Sequence, residues 1–289
     1  MRYFLLKTFW KLLSSIPFPV MYILSDGLFY PFYYLVRYRR KIIRKNLTES
    51  FPEKSIDEIK TIEKKFYRFF LDVIFETCKA ATMSKNTIGR RMKFVNVEVL
   101  NQSCLDKKSV SLYLGHFGNW EWISSLALYI PDDVAGGQIY HRIHNKFVDR
   151  LFYENRSRFG VANIEMKETL RWITDKIQNQ KIMMIGYIAD QSPRKRDLKH
   201  YLHFLNHHAP VFTGTEKITK RYGMDAYYID IKRIKRGYYE ASFIRMHENP
   251  QSLPDFELTE IYFKRLEESI RKQPELYLWS HNRFKYAKN

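Results

Sequence analysis

Apolar positions change their period several times along the chain, and each change predicts an element. Residues 3 to 36 are almost continuously apolar and aromatic: Tyr3-Phe4-Leu5-Leu6, Phe9-Trp10, then a run from Ile16 to Val36 in which Asp26 is the only charge. A membrane-crossing helix needs about 20 such residues, but Pro17, Pro19, Gly27 and Pro31 interrupt this run. No short apolar core leads to a small-residue cleavage site, so a signal peptide fits poorly. Two readings remain, a kinked or shallow membrane helix and a hairpin lying in the interface. Both make the start of the chain a membrane-contact segment.

From Ser55 to about Ser84 the period becomes helical, with apolar residues at Ile59, Ile62, Phe66, Phe69, Phe70, Val73 and Ile74 behind a Ser55-Ile56-Asp57-Glu58 capping box. Val110 to Leu114 and Ile182 to Ile188 read as buried strands, and Gln138 to Ile143 as a further one. Lys167 to Gln178 reads as a helix, and Thr213-Gly214-Thr215-Glu216 as a capping box opening another. Two β-rich stretches, 226–234 and 238–246, flank the turn-like Lys235-Arg236-Gly237, and a last helix covers 258–272. Strands alternating with helices predict an α/β domain with a central, mostly parallel sheet flanked by helices. The expected division is 1–45 for the membrane anchor and its basic flank and 46–289 for the α/β domain. Gly136-Gly137 reads as a turn.

Composition narrows the class. With 45% hydrophobic and 16% aromatic residues the 289-residue chain has enough to bury a core, which excludes disorder. Cys78 and Cys104 are its only cysteines, which excludes a disulfide scaffold. The 49 Lys and Arg against 31 Asp and Glu leave a net charge of +18, which predicts polyanionic partners. Arg37, Arg39, Arg40, Lys41, Arg44 and Lys45 follow the apolar segment directly, and read as anchoring to anionic headgroups on the cytoplasmic side. A solvated helix face is the plainer alternative. A nucleic-acid binder would carry cations and aromatics within a recognisable motif, and none is present.

The stretch Tyr113-Leu114-Gly115-His116-Phe117-Gly118-Asn119-Trp120-Glu121-Trp122 carries the candidate chemistry. A buried strand runs into a glycine-flanked turn with His116 at its end, where sites gather in α/β sheets. A helix beginning near Asn119 would let Glu121 reach back to the imidazole, fixing its tautomer for general-base work. The plainer reading is a satisfied histidine beside a helix start.

His116 to Glu121 resembles the H-x4-D/E motif of glycerolipid acyltransferases, and the fuller Gly115 to Glu121 stretch resembles the late acyltransferases of lipid A biosynthesis. Other segments are similar to that family in the same order: Arg44-Lys45-Asn46-Leu47 with Ser50-Phe51-Pro52-Glu53, Asn155 to Gly160, Ile188-Ala189-Asp190-Gln191, and Pro274 to Lys285. The resemblance implies a monomeric enzyme on the cytoplasmic face of the bacterial inner membrane. It would move an acyl chain from acyl carrier protein to a hydroxyl of a lipid A precursor, an anionic acceptor, or of an aminoacyl lipid or lysophospholipid. No cofactor beyond the acyl donor is implied. His116 would be the base and Glu121 its partner, with the Asn119 side chain, the backbone amides of the Gly118-Asn119 turn or a nearby arginine as oxyanion donors. Arg156 and Arg158 are candidate phosphate clamps. Asp190, at a strand's carboxyl end, would orient an arginine or the acceptor hydroxyl, with Gln191 supporting the turn. Asn282-Arg283-Phe284-Lys285 would bind headgroup or carrier protein, or pack the terminus. His200, His203, His207 and His208 lack carboxylates or thiols at convincing spacing, so a loop is expected there and no metal.

Overall fold

The computed structural model describes residues 2–288. Ten α-helices and nine strands follow in chain order: α1 (Arg2–Ser15), α2 (Phe18–Tyr30), α3 (Arg40–Ser50), α4 (Ile56–Lys79), α5 (Lys85–Arg91), β1 (Met92–Val95), α6 (Glu98–Leu105), β2 (Val110–Leu114), β3 (Ala135–Tyr140), α7 (Lys146–Ser157), β4 (Ala162–Glu165), α8 (Thr169–Gln178), β5 (Met183–Ile188), β6 (His200–Phe204), β7 (His207–Val211), α9 (Gly214–Arg221), β8 (Asp225–Lys235), β9 (Tyr238–His247) and α10 (Glu257–Lys272). Seven strands form one sheet in the order β1-β9-β8-β2-β5-β3-β4. Its pairings are parallel except the β8–β9 hairpin. The expected α/β class with a mostly parallel, helix-flanked sheet is therefore present.

Strand β2 is the centre, bonded to β5 on one side and β8 on the other, and every residue in it is buried. That environment explains its unbroken apolar run. Its register against β5 pairs Leu114 with Ile188. The residues two positions beyond, His116 and Asp190, therefore leave the same edge of the sheet side by side.

The Ser55 capping box forms, with Ser55 and Glu58 each accepting from the other's backbone amide. The expected box at Thr213 does not. Thr213 makes no side-chain cap, and the buried Glu216 instead accepts from the Phe256 and Thr259 amides and the Thr259 hydroxyl, tying α9 to the start of α10. Gly136 and Gly137 lie inside β3 rather than in a turn. A Cβ on Gly137 would stand 2.5 Å from Ile164 Cδ1, so a neighbouring strand's side chain occupies that space. The four clustered histidines lie on a two-stranded antiparallel ribbon, β6 with β7, rather than in a loop.

No single helix among the described residues is long and apolar enough to cross a membrane. Tyr3–Ser15 and Phe18–Val36 satisfy length and composition only as a pair, bent by 108°. One side of this segment packs on α4: Tyr22, Ser25 and Tyr33 donate to Glu76, Asp72 and Glu63. The other side leaves Phe4, Leu5, Phe9, Leu12, Ile23 and Leu28 exposed.

The basic cluster is divided in the same way. Arg40 and Arg44 turn inward to the fully buried Glu63, which lies 3.1 Å from Arg40 Nε and 2.9 Å from Arg44 Nη2. Removing both arginines would break a buried ion pair and strand the Glu63 charge, which is strongly destabilising. Arg37, Arg39, Lys41 and Lys45 remain exposed, so the expectation of headgroup contact narrows to these four.

Candidate active site

His116 follows β2 on a turn that the end of the chain holds in place. The Leu278 amide donates to the His116 carbonyl and the Gly118 amide to the Leu276 carbonyl, each at 3.0 Å. Asn46 secures that returning segment through the Trp279 and His281 carbonyls. The similar segments at 44–47, 115–121 and 274–285 thus meet at one place.

The imidazole Nδ1 lies 2.7 Å from Asp190 Oδ1. Asp190 is 1% exposed. Burial alone would raise its pKa, but the charge and hydrogen bonds of His116, with the Arg283 charge beyond, hold it below the ordinary carboxylate value. A carboxylate accepting at Nδ1 places the ring proton there and leaves Nε2 as a lone pair. Nε2 faces Gln191, whose side-chain nitrogen is 3.3 Å away, and the Trp120 ring packs edge-on at 5.4 Å.

The expected contact between Glu121 and His116 is not made. Residues Trp120–Leu128 form a 3-10 helix capped by Asn119, and Glu121 in its first turn pairs with Arg156 of α7, at 2.8 Å and 2.5 Å. Asp190 already fills the position beside Nδ1. Glu121 outweighs burial at Arg156 and raises the guanidinium pKa, keeping it charged.

A cavity of about 500 Å³ opens at His116. Gln191, Glu121, Arg156 and Arg194 contribute polar lining. Leu112 and Leu114 on β2, and Met184, Gly186 and Ile188 on β5, line it as well, so it runs from the strand ends back along one face of the sheet. Ile123, Leu126, Phe212 and Ile229 extend the apolar wall. Such a shape has room for an elongated apolar group beside the imidazole.

Comparison with known proteins fits that geometry. A family model described as bacterial lipid A biosynthesis acyltransferase matches residues 1–286. The chain belongs to this family. It is also 24% identical over 275 residues to the lipid A biosynthesis lauroyltransferase of Escherichia coli (strain K12), covering 95% of this chain and 88% of that protein.

Within this acyltransferase the remaining expected site residues are distributed unevenly. Gln191 and Arg156 line the cavity with His116 and Glu121. Asn119 does not: it is fully buried, its amide donates to Glu76 at 2.7 Å, and its oxygen caps the Trp122 amide. Neither its side chain nor the Gly118 amide, already donating to Leu276, is free to meet an oxyanion. Arg158 is turned to the Ala80 carbonyl, away from the cavity, and Arg156 is occupied by Glu121. Arg283 is 1% exposed among the rings of Phe204, Phe263 and Phe284, where no headgroup or carrier protein reaches it.

Among the described residues no group of three or more His, Cys, Asp or Glu is placed to hold a metal ion. Both thiols are buried, and burial pushes Cys78 up to about 12 and Cys104 up to about 11, far from a nucleophilic thiolate.

Asp190 as the imidazole's partner was open to sequence reasoning, since both apolar strands end two residues before a titratable group. His281 was not. Burial lowers it to about 4, and its Nε2 accepts from the Ser192 amide at 3.2 Å, bracing the loop that carries Asp190 and Gln191.

Proposed function

We propose that the protein transfers a fatty acyl chain from acyl carrier protein to a hydroxyl of a lipid A precursor. The observation that carries this reading is a histidine with Nδ1 held by a buried carboxylate and Nε2 turned into a largely apolar cavity. The acceptor hydroxyl displaces Gln191 and loses its proton to Nε2 as its oxygen attacks the thioester carbonyl. The tetrahedral intermediate collapses with cleavage of the C–S bond, and the departing sulfur takes the proton back from His116. No acyl-enzyme is needed. Asp190 supports the imidazolium during transfer, the Gln191 amide is the nearest oxyanion donor, and Arg156 with Glu121 forms a neutral pair in the cavity wall. The acyl chain lies along the β2–β5 face.

In this reading the anionic acceptor reaches the site from the cytoplasmic face of the bacterial inner membrane. The exposed aromatic helices and Arg37, Arg39, Lys41 and Lys45 rest on the membrane surface. The enzyme works as a monomer with acyl carrier protein as donor, and without a cofactor or nucleic acid.

Transfer from acyl carrier protein to lipid A precursor, followed by lipid mass spectrometry, tests the reading. His116→Ala should abolish the product, and Asp190→Asn should lower kcat by about 10²-fold or more, the usual range for lost general-base function. Turnover by His116→Ala would remove the base. An added acyl chain on an aminoacyl lipid or lysophospholipid, with none on lipid A, would replace the acceptor.

A further inference from the structure

Glu76, on α4, is fully buried and outside the cavity, yet three separate parts of the protein converge on it. Its Oε2 accepts from Asn119 at 2.7 Å and from Tyr239 of β9 at 2.8 Å, and its Oε1 accepts from Tyr22 of α2 at 2.9 Å. Its backbone carbonyl takes the indole N–H of Trp122 at 3.0 Å. Among the described residues no cation forms an ion pair with it. The neighbouring Asp72 holds the nearby arginines, pairing with Arg233 and Arg236. A carboxyl left in a dry interior with only neutral donors is an expensive group to retain as packing alone.

The contacts have a direction. Asn119 and Trp122 are the two ends of the tight segment that follows His116 and carries Trp120 and Glu121. Asn119 caps it through the Trp122 amide, and Glu76 holds Asn119 by its side chain and Trp122 by its ring. The third donor, Tyr22, comes from the N-terminal helical segment, and Phe18 of the same helix packs edge-on against Trp122 at 6.5 Å. One carboxyl therefore joins α2 to the catalytic turn.

We infer that Glu76 is a positioning residue for acyl transfer: it fixes the turn bearing His116 and makes helix α2 part of the active-site scaffold. This rests on the proposed role of His116 and extends it to residues that touch no substrate. A misplaced base lowers the rate of the chemical step more than it weakens substrate binding.

The test is steady-state transfer by the full-length protein from acyl carrier protein to lipid A precursor, with kcat, KM and melting temperature read together. Glu76→Ala should lower kcat by about tenfold or more with KM within about twofold. Glu76→Gln should restore most of kcat, because a glutamine oxygen can still accept from Asn119 and Tyr239 while its amide donates to the Tyr22 hydroxyl. Tyr22→Phe, which removes one hydroxyl some distance from the cavity, should lower kcat by about threefold at unchanged KM. A folded Glu76→Ala with wild-type kcat would overturn the inference, as would Glu76→Gln as impaired as Glu76→Ala. If Glu76→Ala does not fold, Tyr22→Phe decides, and wild-type kcat in that variant overturns it. Activity surviving in His116→Ala would instead mark failure of the underlying mechanism.

Discussion

Glu76 also reports on its surroundings through proton binding. Burial, with the Asp72 charge beside it, lifts its pKa to about 7, against about 4.3 in an unfolded chain. A carboxyl raised in this way binds its proton more tightly in the folded protein. Its stabilising contribution is complete below the unfolded value and fades as pH rises to about 7 and beyond. The facing groups are Asp72 on its own helix, Tyr22 from α2, Asn119 from the turn, and Tyr239 and Arg233 from the β8–β9 hairpin. Glu76→Gln removes the titration while keeping the shape. The melting temperature of Glu76→Gln relative to wild type should therefore rise between pH 5 and pH 8. A difference that stays constant over that range would place the titration elsewhere. At the same scale, Glu121 shows how spacing misleads: a carboxylate five residues from His116 was the natural partner on a regular helix. The 3-10 turn and the presence of Arg156 send it across the cavity instead.

Among the elements, β5 is the one whose composition bears on specificity. Gly186 lines the cavity between two apolar residues of the same strand face. A Cβ there would meet nothing closer than 3.9 Å, at the Gly137 carbonyl, so a small side chain fits without strain. Larger side chains would project into the cavity, where the acyl chain is proposed to lie. Gly186→Val should shift the preferred donor toward shorter acyl chains, and Gly186→Ala should do so less, as read by competition between carrier-protein donors of different chain length. An unchanged preference in both variants would show that the chain does not run along β5. The elements with a clear hydrophobic period, β2, α4 and α10, lie where predicted because burial imposes that period, although α4 ends at Lys79 rather than near Ser84. The short edge strands β1 and β4 and the ribbon β6–β7 escaped prediction. They are only four or five residues long, too short to display a period, and their strand character comes from a neighbour's hydrogen bonds.

At the scale of the whole molecule, the N-terminal segment is bound into the structure through hydrogen bonds to buried carboxylates. Tyr33, Ser25 and Tyr22 each satisfy a different buried carboxylate of α4: Glu63, Asp72 and Glu76. Asp26 shares Arg236 with Asp72. Among the described residues only Glu76 Oε1 has no donor besides the N-terminal one, but the segment also buries Met21, Phe29 and Tyr33, and uncovering a large apolar side chain costs about 1.5–3 kcal/mol. Removal of residues 1 to 36 should therefore unfold or aggregate the protein, and limited proteolysis should find no resistant core. A protease-resistant, active remainder that leaves the membrane fraction would restore the picture of a detachable anchor.

The net charge, the apolar opening, the buried strands and the position of His116 at a strand end were legible in the order of residues. Each depends on local period or composition, which a chain displays whatever its contacts. The partner of His116, the inward turn of Arg40 and Arg44, the loss of Asn119 and Arg158 from the cavity, and the convergence on Glu76 were not. Those outcomes depend on which of several competing carboxylates, amides and guanidiniums come within about 3 Å of one another. That is set by strand register and by the return of residues 276–283 across the active-site turn.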